Sequence, residues 1–363
     1  FSTSTQTEIH MKTAFDLVER GWVPDVAVRA GIRELVRRRR RSLHSDLPPT
    51  AIDADFAAKL RQSPVAVATA EANEQHYEVP APFFEKVLGT HLKYSCCYYP
   101  NGDETLDQAE TAMLELTCER ADLVDGQKIL ELGCGWGSLT VWMASHYPNS
   151  EIIAVSNSHS QREHIGRRCR SLGLTNVQVL TADANDLAEH SHERIGDGAF
   201  DRVVSVEMFE HMRNWPQLLA RIAGWLTPAG RLFLHVFCHR QHPYLYEDRG
   251  PNDWMARHFF TGGMMPSDDL LLQFQDPLQI EDRWSVDGRH YQRTANHWLE
   301  QLDQQRDEIL PILSQTYGHQ EAHRWLQRWR LFFMGCAETF GDQGGQEWRV
   351  AHYRLRPLAE TMA

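Results

Sequence analysis

The chain has 363 residues, 42% hydrophobic and 24% charged, with a formal net charge of −12. That is enough apolar material for one large domain with additions or for two domains, and the acidic balance argues against general affinity for nucleic acid or an anionic membrane surface. Seven cysteines, an odd number with no Cys-x-x-Cys pair, exclude a disulfide framework and a metal site of the zinc type, and fit a reduced, cytoplasmic setting. The chain begins Phe-Ser-Thr-Ser-Thr without Met, so its start is expected to be trimmed. Residues 1–75 read as a mostly peripheral helical extension. Phe15, Leu17, Val18 and Trp22, then Val26, Val28, Ile32, Leu35 and Val36, fall at helical spacing. The run Arg37–Arg41 reads as a solvated helix end, with Glu34 and Asp46 nearby, and Pro48-Pro49 marks a linker.

From 76 to 238 strands and helices alternate, as in a doubly wound α/β sheet. Strands are predicted at 128–132, 151–156, 177–181, 200–206 and 230–236, with a helix after each of the first four. Between the first strand and its helix lies Gly133-Cys134-Gly135-Trp136-Gly137. Such a turn leaves open backbone that a nucleotide-like ligand can approach without meeting Cβ atoms. A dinucleotide fold would want Gly or Ala at 138 and an acid about 20 residues on for the ribose. The chain has Ser138 and ends its second strand in Ser156-Asn157-Ser158, which disfavours NAD. Glu131, two residues before the first glycine, and Asp183, after the third strand, instead give an acid–glycine pattern that resembles the cofactor site of S-adenosylmethionine (SAM) methyltransferases.

Beyond the fourth strand comes Glu207-Met208-Phe209-Glu210-His211. Two carboxylates and an imidazole thus sit past the carboxyl edge, where open α/β sheets bind ligands, and they are predicted to do acid–base chemistry. After His235 the alternation stops. Residues 239–344 read as a mainly helical substrate-binding insertion, aromatic in Tyr244, Tyr246, Trp254, Phe259 and Phe260, with long helical patterns from about 293 to 335. Trp348 to Leu355, within 345–363, reads as a strand returning to the core. No stretch approaches the length of a membrane-spanning helix, and no signal-peptide pattern is visible.

Over nearly its whole length the chain resembles the cyclopropane fatty acid synthase superfamily, and within it the plant coclaurine N-methyltransferases. The matching stretches include His76-Tyr77-Glu78-Val79-Pro80, Leu92–Tyr99, Thr105–Glu110, the glycine loop, Glu207–Met212, Phe260–Ser267 and Trp329–Phe333. Glu78 departs from the Asp usual in that family. The resemblance implies a Rossmann-like class I SAM methyltransferase core and a SAM cofactor. Tyr94 and Ser95 would meet its methionine part, Gly133 and Gly135 would lie under it, Ser156, Asn157 and Gln161 would face ribose and adenine, and Asp183 and Ala184 would flank the adenine. Glu207, Glu210 and His211 match the acid–base group, and Tyr77, His235, Phe259, Tyr291, Trp329, Phe332 and Phe333 match the substrate end.

The resemblance leaves two acceptors to weigh. A protonated amine must lose a proton before it attacks a sulfonium methyl, a task suited to Glu210 and His211, with Glu207 holding the cation. A cyclopropane synthase methylates an alkene and holds bicarbonate with a Cys, a Glu, a His and a Tyr. Cys96, Glu210, His235 and Tyr291 match all four. The stripe Trp325, Trp329, Phe332 and Phe333 favours the amine, whose charge aromatic faces attract. The expected partner is therefore a small-molecule amine, with a homodimer allowed and neither nucleic acid nor integral membrane contact expected. A SAM-binding protein without catalysis would have lost catalytic residues, and none is missing.

Overall fold

The computed structural model describes residues 13–67, 79–185, 187, 195–250 and 253–358. The apolar runs fold as the sequence predicts. Strands β1 (Lys128–Leu132), β2 (Glu151–Ser156), β3 (Val177–Thr181) and β4 (Phe200–Val206) occupy the predicted positions, and β5 runs longer, Leu226–His239. They pair in parallel in the order β3-β2-β1-β4-β5. Parallel strands are covered on both faces, hence their unbroken apolar character; Ile129, Leu130, Ile152, Ala154, Val203 and Val204 are fully buried.

The helices that cover and flank this sheet follow in chain order. N-terminal to it are α1 (Asp25–Leu43), α2 (Pro49–Leu60), α3 (Ala81–Val87) and α4 (Leu106–Arg120). Thr105 and Gln108 form a reciprocal capping box that starts α4. Helices α5 (Ser138–His146) and α6 (His159–Leu172) follow β1 and β2. The helix predicted between β3 and β4 belongs to a stretch of which 186 and 188–194 lie outside the described residues. After β4 a 3₁₀ turn, Phe209–His211, precedes α7 (Trp215–Trp225).

The insertion contributes a short ribbon, β6 (Tyr244–Leu245) with β7 (Met264–Met265), and α8 (Trp254–His258) between them. It also supplies β8 (Leu278–Val286), which the sequence reading did not predict, and the helices α9 (Gly288–Gln304), α10 (Arg306–Tyr317) and α11 (Ala322–Phe340). The returning strand is β9 (Trp348–Pro357). It lies antiparallel between β5 and β8, completing a seven-stranded sheet.

The N-terminal arginines are used internally. Arg29 and Arg33 of α1 bind Glu338 of α11 at 2.8 and 3.1 Å, and Arg330 of α11 binds Asp25. Within the basic run, Arg38 pairs with Glu34 and Arg40 with Asp342. All but the Arg38–Glu34 pair, which lies within α1, clip the N-terminal helix onto the insertion. One apolar core lies under the insertion, with Phe83, Phe84, Trp298, Trp329 and Phe333, and another under the sheet, with Leu130, Val203, Leu218 and Leu232. Among the described residues no helix is long and apolar enough to cross a membrane.

Candidate active site

A cavity opens where the carboxyl ends of β1, β2 and β4 face the insertion. The glycine loop forms its floor. Gly133, Gly135 and Gly137 have φ of +80°, +50° and +81°, a left-handed backbone that side chains disfavour. A Cβ at Gly133 would come within 2.7 Å of Met208, and one at Gly137 within 2.6 Å of Ile165. At Gly135 it would meet nothing within 4 Å, because that position faces the cavity. Two glycines thus permit close packing, and the middle one leaves space for a ligand.

Around this floor the cavity wall includes Tyr94, Ser95, Gly133, Gly135, Ser156, Asn157, Gln161 and Ala184. Ser158 caps α6, and the Ser156 hydroxyl donates to Gln161 Oε1 at 2.6 Å, which brings both side chains to one spot. Asp183 is not in the wall. Its Oδ1 accepts from Asn185 N–H at 2.8 Å, while the neighbouring Ala182 and Ala184 do line the cavity. Glu131 also lines the cavity; it is 4% exposed and accepts from the Thr140 hydroxyl at 2.5 Å. Burial pushes its carboxyl up to about 8, opposed by that hydrogen bond. A buried acid with no ion pair among the described residues, beside an open glycine backbone, fits a positively charged, nucleoside-bearing cofactor such as SAM.

The other end of the cavity is built around Glu207, whose φ of +48° turns the chain sharply as it leaves β4. Its N–H donates to His235 O at 2.8 Å, which anchors the turn on β5. The carboxylate accepts from Cys96 N–H at 2.8 Å, from the Tyr291 hydroxyl at 2.7 Å, and contacts His235 Nε2 at 3.1 Å. Burial raises its pKa, while the Lys93 cation and the bonds from Cys96 and Tyr291 hold it down. Lys93 is itself buried, and its ammonium donates to Ser95 Oγ and to Cys96 O.

Glu207, His211 and Tyr291 line the cavity together. His211 packs its ring on Phe260, 4.6 Å between centroids. Glu210 and His235, expected beside the acceptor, are off the wall. Glu210 is fully buried and its Oε1 accepts from Phe237 N–H at 2.6 Å. Burial, then the neighbouring Glu207 charge, keeps its pKa far above the usual carboxylate range. A carboxyl that does not reach the cavity is poorly placed to act as a base there. The 3₁₀ turn explains this placement, since adjacent residues 210 and 211 must point to different sides. His235 sits behind Glu207 and reaches the cavity only through it.

The aromatic stripe of α11 divides in the same way. Phe332, Cys336, Thr339 and Phe340, at i, i+4, i+7 and i+8, line the cavity. Trp329 and Phe333, both fully buried, pack instead on Phe83, Trp298 and each other. They are core, because one helix face cannot serve both sides. Phe259 stacks behind Phe332 at 4.4 Å and is likewise off the wall. Tyr77 lies outside the described residues. Tyr246 and Phe260, noted in the sequence only as aromatics of the insertion, and Phe340 are wall residues, and sequence reasoning missed Trp298 and Lys93. For Lys93 the signal was present, since it adjoins Tyr94 and Ser95.

Comparison with known proteins places these features. Residues 66–349 match the mycolic acid cyclopropane synthetase family. The chain is 38% identical over 341 residues to (S)-coclaurine N-methyltransferase from Thalictrum flavum subsp. glaucum, covering 92% of each. With cyclopropane-fatty-acyl-phospholipid synthase of Escherichia coli strain K12 it shares 29% over 283 residues, covering 77% of this chain and 67% of that one. A crystal structure of coclaurine N-methyltransferase bound to N-methylheliamine and SAH superposes with a TM-score of 0.89 at 36% identity, covering 95% of this chain and 99% of that one. With its parallel sheet, glycine cradle and acid-lined cavity, the chain belongs to the mycolic acid cyclopropane synthetase family, as a SAM-dependent methyltransferase with a Rossmann-like α/β core.

Proposed function

We propose that this enzyme methylates the nitrogen of a small aromatic or cyclic amine. The observation that carries the reading is the Glu207 carboxylate, held by several partners in a cavity wall shared with aromatic side chains. An amine with a pKa near ~10, by analogy with Lys, arrives mostly as the ammonium. Glu207 attracts that cation, and the faces of Phe332, Phe340 and Phe260 add cation–π attraction. His211, in the same wall, takes the proton as the nitrogen lone pair is freed. SAM, when bound, supplies the electrophilic methyl group. Tyr94, Ser95 and the glycine floor hold the two reactants in line, and positioning of this kind supplies much of the remaining rate.

The alkene reading fits less well. It needs bicarbonate between Cys96, Glu210, His235 and Tyr291. Here the Tyr291 hydroxyl and His235 Nε2 are already engaged by the Glu207 carboxylate. A second anion would meet like charge where it needs donors. The relation to N-methyltransferases, at higher identity and coverage than to the bacterial synthase, points the same way. The test incubates labelled SAM with a panel of aryl-ethylamines and tetrahydroisoquinolines and with an unsaturated phospholipid, each with and without bicarbonate. Labelled amine at a rate independent of bicarbonate is expected. Cyclopropanated phospholipid as the main product, with amines untouched, would overturn the proposal.

A further inference from the structure

Behind Glu207 a line of hydrogen bonds crosses the sheet. Strand β9 places His352 directly opposite His235 of β5, and both rings are fully buried. His352 Nε2 lies 2.9 Å from His235 Nδ1, and His235 Nε2 lies 3.1 Å from Glu207 Oε1. At the far end, His352 Nδ1 lies 2.8 Å from Nη1 of Arg120, the last residue of α4.

One end of this line can only donate, because a guanidinium has no acceptor and keeps its proton. Arg120 therefore makes His352 Nδ1 an acceptor and puts that ring's proton on Nε2. The proton points at His235 Nδ1, so His235 in turn carries its own on Nε2 and donates to Glu207. Each bond dictates the next, and the direction of the whole line is set by Arg120. We propose that Arg120 and His352 are positioning residues for methyl transfer, locking His235 as a hydrogen-bond donor that keeps Glu207 a carboxylate facing the acceptor.

The chemistry of Glu207 shows why the lock matters. An ionised carboxylate offers about four acceptor sites. Cys96 N–H, the Tyr291 hydroxyl and His235 take three, which leaves one for an ammonium N–H at the cavity wall. Cys96 N–H and the locked His235 cannot reverse their roles, so a protonated Glu207 finds no acceptor in either. If His352 were free to turn its proton toward Arg120's place, His235 could present a lone pair to Glu207. That arrangement favours the neutral acid and weakens the hold on a cation.

The surrounding charges are consistent with neutral imidazoles. Burial pushes both His235 and His352 well below the usual histidine range; Lys93 and Arg120 act in the same direction on both, and His235 does so on His352. Facing Glu207 are Glu210 and His211 from its own segment, Lys93 and Cys96 from the loop before α4, His235 from β5, Tyr291 from α9 and Cys336 from α11. None of the others substitutes for the donor that Arg120 enforces on His235.

The kinetic part of the test rests on the amine-methyltransferase reading; the tautomer part does not. Nitrogen-15 NMR of histidine-labelled enzyme should show His235 and His352 as Nε2–H tautomers from pH 6 to 9. In Arg120→Met the His352 pattern should change. The pH–rate profile, measured with an acceptor that the wild type methylates, should lose activity on its acid side about one pH unit earlier in Arg120→Met and His352→Leu. Arg120→Lys, and His352→Gln, whose amide can accept from Arg120 and donate to His235, should restore the wild-type profile. SAH affinity should stay level throughout, which separates positioning from general damage. An Nδ1–H tautomer on His352 in the wild type would overturn the proposal. So would Arg120→Met with unchanged tautomers, or with an unmoved acid limb in a folded, SAH-binding protein. If His352→Leu does not fold, Arg120→Met and the wild-type spectrum still decide. If no amine is methylated, the functional reading fails, while the tautomers still decide whether Arg120 sets the line.

Discussion

Replacing Glu131 with Gln isolates how the glycine cradle recognises a cationic cofactor. The Glu131 carboxyl is buried, and its pKa stands near 8 in the free protein. At pH 7 about one molecule in ten then carries the carboxylate. If the carboxylate is the form that receives the cofactor's positive charge, binding lowers this pKa and releases a proton. The sign follows: affinity is weak below pH 8, rises with pH, and levels off above it. Between pH 7 and 9 the ionised fraction rises from about 9% to about 90%, a tenfold gain in affinity or about 1.4 kcal/mol. Glu131→Gln removes the gain and leaves weaker binding at pH 9. Titration calorimetry with SAM at pH 7, 8 and 9 measures it, and buffers of different ionisation enthalpy count the released protons. The ligand's own titration is common to both proteins and cancels in their ratio. A wild-type to variant affinity ratio that stays constant from pH 7 to 9 refutes the reasoning.

Three further outcomes follow from the site. Glu207→Gln removes the charge that holds the ammonium, and kcat/KM for the amine should fall roughly 10- to 100-fold, the value of a hydrogen bond to a charged group; steady-state kinetics at saturating SAM will show it. His211→Ala should lower kcat by roughly 10²–10⁴ if this ring takes the proton, with calorimetry finding SAH affinity unchanged. Gly135→Ala and Gly173→Ala each force a side chain into left-handed backbone (φ +50° and +68°) with open space around it. Thermal melts should show each destabilised by about 1–2 kcal/mol, but only Gly135→Ala should raise the KM for SAM.

The core was legible because its physics is local. Strands covered on both faces must be unbroken apolar runs, and β1 to β4 sit where those runs are. The start of β5 was hidden because Thr227-Pro228-Ala229-Gly230 reads as a turn, and its pairing with β4 is irregular there. Strand β8 escaped because it is an edge, exposed on one face and alternating Gln279, Glu281 and Arg283 with less exposed residues. The acids at the sheet edge could be found from the end of β4. Which of Glu210 and His211 faces the cavity depended on a 3₁₀ turn that composition does not encode. For α11, spacing showed an aromatic stripe, but only packing could tell the core-facing Trp329 and Phe333 from the cavity-facing Phe332. The Arg120–His352–His235 line was out of reach, since strand pairing alone brings together two histidines 117 residues apart.

The position of β9 also constrains the order in which this molecule can form. It follows β5 by more than a hundred residues, yet it lies inside the sheet, with β5 on one side and β8 on the other. Until it emerges from the ribosome, β5 presents a long open edge and β8 has no sheet to join. Closing this gap spans more than a hundred residues, which is slow and leaves an adhesive strand exposed meanwhile. A product stopped short of Trp348 could retain the glycine cradle, but it would lose His352 and the strand that joins the insertion to the sheet. Such fragments should aggregate rather than bind cofactor, because the sheet closes only when β9 is inserted between β5 and β8.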